Sequence, residues 1–366
     1  MKAMQNNIMR QCIQKVATGP EYSKDLSFDE AYESMRVILA GDADPVQTAI
    51  YFIALRMKRE TNEENCGILQ ALIEAADIVT ADVDEIVDIC DPYDGYTRGV
   101  PASPFIPIVL AAMDVNAVSH GLNEVGPKYG ATHHKVLKAA GVRVDLTPQQ
   151  AAEQIEAIGW AYIDQSAFIP KLHDLIPLRQ RMIKRQVLTT VETMLGPIRA
   201  KKTHLMGGYV HKAYPPIYAA LAKQTGFDSA MFVRGVEGGI IPSLQQSGRL
   251  FYYYGDEAQQ QRDLAPKDIG ISASTRAVPL PKDLPTVSAA DNIATKIDIG
   301  AMSQVAADLG TAALGGEKGT MYDSLVYSTA ICLSHLKRFD TMQASADAVR
   351  AVLDSGKALE KLEAAK

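Results

Sequence analysis

The densest reactive chemistry in the chain lies between Lys171 and His204, where eight Lys and Arg residues stand against two acids, Asp174 and Glu192. Arg179, Arg181, Lys184 and Arg185 fall within one short stretch, so they could converge on an anion, and an arginine fork suits a carboxylate or phosphate. The same run also reads as a solvated helix face, and the residue types alone leave both readings open. His133 and His134 could bind a metal, but adjacent imidazoles point in different directions on a helix or a strand. Cys12, Cys66, Cys90 and Cys332 form no CxxC pair, which predicts neither a zinc site nor a disulfide framework.

The chain that must position these groups has 366 residues, of which 47% are hydrophobic, and carries a net charge of -6. That length suggests two domains, and the acidic average argues against a general polyanion binder. No run approaches the roughly 18 to 20 apolar residues of a membrane span, and the N-terminal MKAMQNNIMRQCIQK is too polar for a secretory signal. A soluble, cytoplasmic protein without membrane contact is the expectation.

Helix-start signals divide the first 80 or so residues into three amphipathic helices. Ser27 to Glu30 has capping-box spacing, Asp44-Pro45 places a cap before a first-turn proline, and Thr61 to Glu64 repeats the box. From about Ile86, short β-branched runs alternate with helical stretches, as parallel strands with crossover helices require. Val115 to Ser119, Val142 to Leu146 and Ala230 to Val233 are the strand candidates, and Thr147-Pro148-Gln149-Gln150 starts a helix. Ile176 to Met194 reads as one long helical interval, and further helices are expected at Ala213 to Thr225, Ala301 to Ala312 and Met321 to Lys337. Pro279 to Pro285 and Gly315 to Gly319 read as loops.

ALRMKRET (Ala54 to Thr61), the His120-Gly121 step, VLKAAGVRVDLTPQQ (Val136 to Gln150), MLGPI (Met194 to Ile198) and DSGKALEKLEA (Asp354 to Ala364) occur in the order seen in anthranilate phosphoribosyltransferases. The chain resembles that family, of glycosyltransferase family 3 with a nucleoside phosphorylase-like fold, over nearly its whole length. The resemblance implies an α/β fold with a small all-helical N-terminal domain, a larger α/β domain with a mostly parallel sheet, and a hinge cleft between them. Residues 1–85, completed by about 176–200, would form the small domain, and 86–175 with 201–366 the large one. It also implies a homodimer through the helical bundle.

The family transfers the phosphoribosyl group of phosphoribosyl pyrophosphate to an aromatic amine of tryptophan biosynthesis, and its leaving diphosphate needs amide donors and magnesium. Where the family carries a GTGGDG loop, this chain reads Asp91-Pro92-Tyr93-Asp94-Gly95-Tyr96, so proline removes a donor, Tyr93 and Asp94 add bulk and charge, and one glycine remains. The family's NIST element becomes Pro101-Ala102-Ser103-Pro104, and its KHGN motif becomes Ser119-His120-Gly121-Leu122 without the lysine. Its magnesium-binding Asp-Glu pair becomes Ile240 and Ile241, which cannot coordinate a hard cation. No metal or other cofactor is therefore expected. Nearby Glu237 reads equally as a surface turn residue.

Carried over residue by residue, the resemblance implies His120, Gly121, Asn123, Lys128 and Arg179 as substrate-binding residues, with Arg179 meeting the aromatic carboxylate. Asp94, Gly95, Ser103, Arg181 and Arg185 are the phosphate-binding candidates, and no catalytic residue is assigned. The implied activity is that of a glycosyl or phosphoribosyl transferase with an altered donor site, which does not make phosphoribosyl anthranilate efficiently and takes a small anionic or aromatic ligand in its hinge cleft. The alternative is a non-enzymatic nucleic-acid-binding or regulatory member. A nucleic-acid-associated subgroup shares an N-terminal extension before the first helix, and RQRMIKR (Arg179 to Arg185) is similar to its RxRMxxR segment, which could track phosphates.

Overall fold

A computed structural model of the chain describes residues 2–287 and 295–366, with side chains from residue 8 onward. The N-terminal unit is built from α1 (Lys2–Val16), α2 (Phe28–Leu39), α3 (Pro45–Lys58) and α4 (Asn62–Ala75). The cap signals work as their chemistry requires. Ser27 and Thr61 each close a full capping box and Asp44 accepts from the amides of Val46 and Gln47, each cap contributing about 1 kcal/mol to its helix. The stretch preceding the three expected helices is a helix of its own. It buries Met9, Cys12 and Val16 in the bundle core.

Two strands follow, β1 (Val79–Thr80) and β2 (Glu85–Cys90), and then α5 (Ile106–Ala112), β3 (Ala117–Gly121), α6 (His133–Ala139), α7 (Pro148–Ile158) and β4 (Trp160–Asp164). The short helices α8 (Gln165–Phe168), α9 (Pro170–His173), α10 (Ile176–Met182) and α11 (Leu188–Val191) lead to β5 (Ile198–Arg199) and β6 (Lys202–Tyr209). After α12 (Tyr214–Thr225) come β7 (Ser229–Arg234), β8 (Gly248–Tyr254) and β9 (Gln260–Leu264), and then α13 (Ile299–Leu314), α14 (Thr320–His335), α15 (Met342–Asp354) and α16 (Lys357–Glu363).

The main sheet has the order β4-β3-β2-β6-β7-β8-β9, parallel from β4 to β7 and antiparallel at β8 and β9, while β1 pairs with β5 in a separate two-stranded ribbon. Because side chains alternate across a strand, each strand feeds two cores. Val87, Ile89, Trp160 and Tyr162 face α5, α6 and the C-terminal helices, whereas Ile86, Cys90, Ala161 and Ile163 share a core with α1 to α4, α7 and α12. The fold is thus a helical N-terminal domain with a larger α/β domain and a mostly parallel sheet.

Two sequence expectations fail. Val142 to Leu146 buries alternate residues as a strand would, yet forms no ladder, because β4 takes the place beside β3. Ile176 to Met194 is not one long helix. It breaks after Met182, where Ile183 turns to φ 65° with 66% of its surface exposed, and resumes as α11 and a 3-10 turn. Of these pieces, α10 packs against α3 and α11 against α4.

Candidate active site

The loops that follow β2, β3 and β7 meet at the C-terminal end of the parallel strands, the end at which open α/β sheets present their ligand sites. Asp91, the first residue after β2, organises this end. Its buried carboxylate accepts the Tyr96 hydroxyl at 2.9 and 2.8 Å, the Ser103 hydroxyl at 2.7 Å and the Ile240 amide at 3.0 Å, and lies 3.0 Å from His133 Nε2. Burial pushes the Asp91 carboxyl up, but the His133, Ser103 and Tyr96 contacts outweigh it and hold the group below the ordinary carboxylate range. Gly239 lets this hub close, since a Cβ there would lie 1.6 Å from the Tyr96 oxygen.

Beside the hub, four charges neutralise one another. Glu237, held at φ 55° between Val236 and Gly238, accepts the amides of Thr97 at 3.1 Å and Arg98 at 2.7 Å and lies 3.7 Å from the Lys128 ammonium. Asp94 accepts Arg185 Nη2 at 2.6 Å and lies 3.3 Å from Lys128. The side chains of Glu237 and Asp94 are 6% and 1% exposed, so Glu237 is no surface turn residue. Gly95 makes the turn possible, with φ 70° and the Ala131 carbonyl 2.7 Å from where a Cβ would stand.

On the bundle side, His120 Nε2 lies 2.8 Å from Asp88 Oδ1, and its Nδ1 meets the Tyr93 hydroxyl. All three residues are buried, and desolvation raises the Tyr93 hydroxyl well above its ordinary pKa. Arg179 is buried in a two-bond pair with Glu192, at 2.7 and 2.6 Å, and Gln165 donates to the same carboxylate at 2.9 Å. The fork that could take a ligand carboxylate is engaged by one from the chain itself.

The remaining sequence candidates scatter. Ser103 serves Asp91, and Gly121 is buried at the end of β3. Asn123 is exposed and offers its backbone carbonyl to Thr132. Arg181 and Lys184 are exposed and form no ion pair among the described residues, so the basic run does not converge on a single point. Ile240 and Ile241 are buried in the apolar core and bring no oxygen ligand. His133 and His134 do diverge, His133 to Asp91 and His134 to Asp164 at 2.8 Å.

Asp88, Asp91, Glu192 and Tyr214 were not singled out by sequence reasoning. For Asp88 and Asp91 the available signal was an acid at each end of the short apolar run Ile89-Cys90, where burial without a partner is costly. Tyr214 gave no local signal. It accepts from Arg56 at 3.1 Å, and its ring lies 5.3 Å from Tyr218, placing aromatic surface beside a cation far away in sequence.

Residues 10–76 match the family model described as the helical bundle domain of a glycosyl transferase family, and residues 96–282 match its a/b domain. The anthranilate phosphoribosyltransferase of Acetivibrio thermocellus is 27% identical over 356 residues, covering 97% of this chain and 95% of that protein. The crystal structure of the Thermus thermophilus anthranilate phosphoribosyltransferase superposes with a TM-score of 0.73 at 20% identity over 97% of both chains. The Saccharomyces cerevisiae enzyme in complex with PRPP and Mg superposes with a TM-score of 0.71 at 15% identity, over 98% of this chain and 96% of that one.

Proposed function

Since the chain belongs to the glycosyl transferase family that includes the anthranilate phosphoribosyltransferases, we propose that it keeps the transferase cleft but has lost the site for a magnesium-bound phosphoribosyl diphosphate. On this reading it does not make phosphoribosyl anthranilate efficiently, and its cleft ligand is a different small anionic or aromatic molecule. The observation that carries the reading is Glu237, whose carboxylate lies on the amides of Thr97 and Arg98 and faces Lys128. An anion held in the loop after β2 would need those donors, and the protein's own anion already uses them.

The acceptor side supports the same reading. Arg179 is neutralised by Glu192, and the Tyr93 hydroxyl occupies a ring nitrogen of His120. Magnesium does not fit this donor set. The two acids that the family resemblance calls for are Ile240 and Ile241, and the oxygens of Asp94 and Glu237 already face Lys128 and Arg185. No step is therefore routed through a metal.

The alternative, a non-enzymatic nucleic-acid-binding member, gains one observation. Arg56 and Tyr214 lie side by side, and exposed Arg181 and Lys184 add cations from the same helical unit, a combination suited to phosphates and stacked bases. The test between the readings is titration calorimetry with phosphoribosyl pyrophosphate, with and without magnesium, alongside a short single-stranded oligonucleotide. No magnesium-dependent heat is expected with the diphosphate. Magnesium-dependent binding in the micromolar range would overturn the proposal, and salt-sensitive oligonucleotide binding alone would favour the alternative.

A further inference from the structure

The antiparallel pairing of β8 with β7 brings Tyr254, the last residue of β8, opposite Ser229, the first residue of β7. The C-terminal end of β8 therefore lies at the N-terminal end of the parallel strands, the opposite end of the sheet from the cleft. There Tyr252, Tyr254 and Arg262 of the β8–β9 hairpin and Ser334, His335 and Lys337 at the end of α14 line a cavity of about 350 Å³. That volume is within the range of small-ligand sites, which run from roughly 300 to 1,000 Å³.

The wall of the cavity is fixed by polar contacts that leave little freedom. The His335 and Tyr254 rings stack with centroids 4.6 Å apart and planes 11° apart, and the Tyr254 hydroxyl donates to the His335 carbonyl at 2.6 Å. His335 Nε2 lies 2.8 Å from the Ser229 hydroxyl, which lies 2.8 Å from His204 Nδ1 in turn. Burial drives the pKa of His335 down to about 3, so this ring stays neutral.

Two cations border the same space. Arg262 donates to the Ser334 hydroxyl at 3.1 Å with its guanidinium 5.9 Å from the Tyr252 ring centroid, and the Lys337 ammonium lies 4.5 Å from the Tyr254 centroid. Neither forms an ion pair among the described residues, whereas the next residue, Arg338, is paired with Glu85. The C-terminal end of α14 supplies roughly half a negative charge, enough to favour one cation but not to neutralise two. Glu257, at the rim, is the one carboxylate lining the cavity, and it accepts from Gln260 at 3.1 Å.

The geometry points to a second ligand site, at the opposite end of the sheet from the cleft, that takes a phosphate monoester the size of a sugar phosphate, with Arg262 and Lys337 as its anion-binding residues. A phosphate dianion matches the two unpaired cations, and the guanidinium fork is held ready by Ser334 and the Tyr252 ring. The aromatic and imidazole surfaces give the neutral part of the ester a rigid wall to lie on.

The test is calorimetric titration of the full chain with inorganic phosphate, glucose 6-phosphate and, as a carboxylate dianion of comparable charge, succinate. Glucose 6-phosphate is expected to bind more tightly than either of the others. Arg262→Gln and Lys337→Gln should each weaken it about tenfold or more, Glu257→Gln should strengthen it severalfold by removing a like charge, and Arg185→Gln in the cleft should leave it unchanged. The proposal is overturned if no phosphate binds at millimolar concentration, if succinate binds as tightly, or if the sensitivity lies with Arg185. Gain of affinity in Glu257→Gln keeps the result interpretable should either cation variant fold poorly.

Discussion

Replacing Arg179 with methionine should cost stability rather than binding. The substitution keeps much of the aliphatic stem but removes both bonds to Glu192, whose side chain is fully buried. Gln165 alone would then face a carboxylate that has no route to water. Breaking a buried pair by removing one partner typically costs about 3–5 kcal/mol, because the remaining charge is left uncompensated. Exposed Arg181, two residues further along the same helix but outside the core, is the control, and its change to alanine should stay within about 0.5 kcal/mol. Urea unfolding followed by far-ultraviolet circular dichroism gives both values. Combining Arg179→Met with Glu192→Gln should recover much of the loss, and a double-mutant cycle would report the pair's coupling. If Arg179→Met leaves the urea midpoint unchanged while abolishing binding of an aromatic acid, the internal-pair reasoning is refuted and Arg179 is the ligand contact that the family resemblance implies.

Glu237→Ala frees the Thr97 and Arg98 amides and Lys128, so pyrophosphate should raise the melting temperature of the variant and not of the unaltered chain; equal responses would count against the carboxylate as the occupant. Burial, then His204, Arg262 and Lys337, lower the pKa of His335 from 6.5 to about 3, so the unfolded chain takes the proton first and stability is lost as pH falls below 6.5. By pH 5 this group alone should cost about 2 kcal/mol, and His335→Gln should flatten that part of the curve; an unchanged acid slope would exclude the mechanism. Val46, Ile50 and Met57, at 62%, 45% and 78% exposure along α3, predict a homodimer through the bundle by light scattering that Ile50→Asp weakens, whereas a monomeric unaltered chain at micromolar concentration would contradict it.

Four helices were readable from the caps that announce them, whereas α6 and α15, capped by Thr132 and Thr341, were passed over. Ser27, Asp44, Thr61 and Thr147 each place an oxygen at the free amides of a first turn, a local interaction that needs no knowledge of the rest of the chain. Strands lack such a marker. Val142 to Leu146 has the right alternation but no neighbour, while β4 was passed over, because whether a short apolar run pairs is decided by what lies beside it. The site followed the same division. The loop Asp91 to Tyr96 and the Ile240-Ile241 pair were located through the family resemblance, as the places where its glycines and acids are missing. The partners that engage the candidates come from other segments, as Glu237 does for Lys128 and Glu192 does for Arg179, and no spacing rule connects them.

Glu237 has one more consequence, which follows from its being tethered. A carboxylate fixed a few ångströms from its donors acts as an intramolecular competitor whose effective concentration is set by its tether and not by the surrounding solution. Chloride, acetate or a lone phosphate oxygen must displace it while gaining no more contacts than it already makes. Only a molecule that brings several acceptors at once, or that stabilises the displaced loop elsewhere, can shift that balance. On the proposed reading the cleft would discriminate by valency, with the tethered glutamate at φ 55° setting how many contacts an incoming ligand must make to displace it.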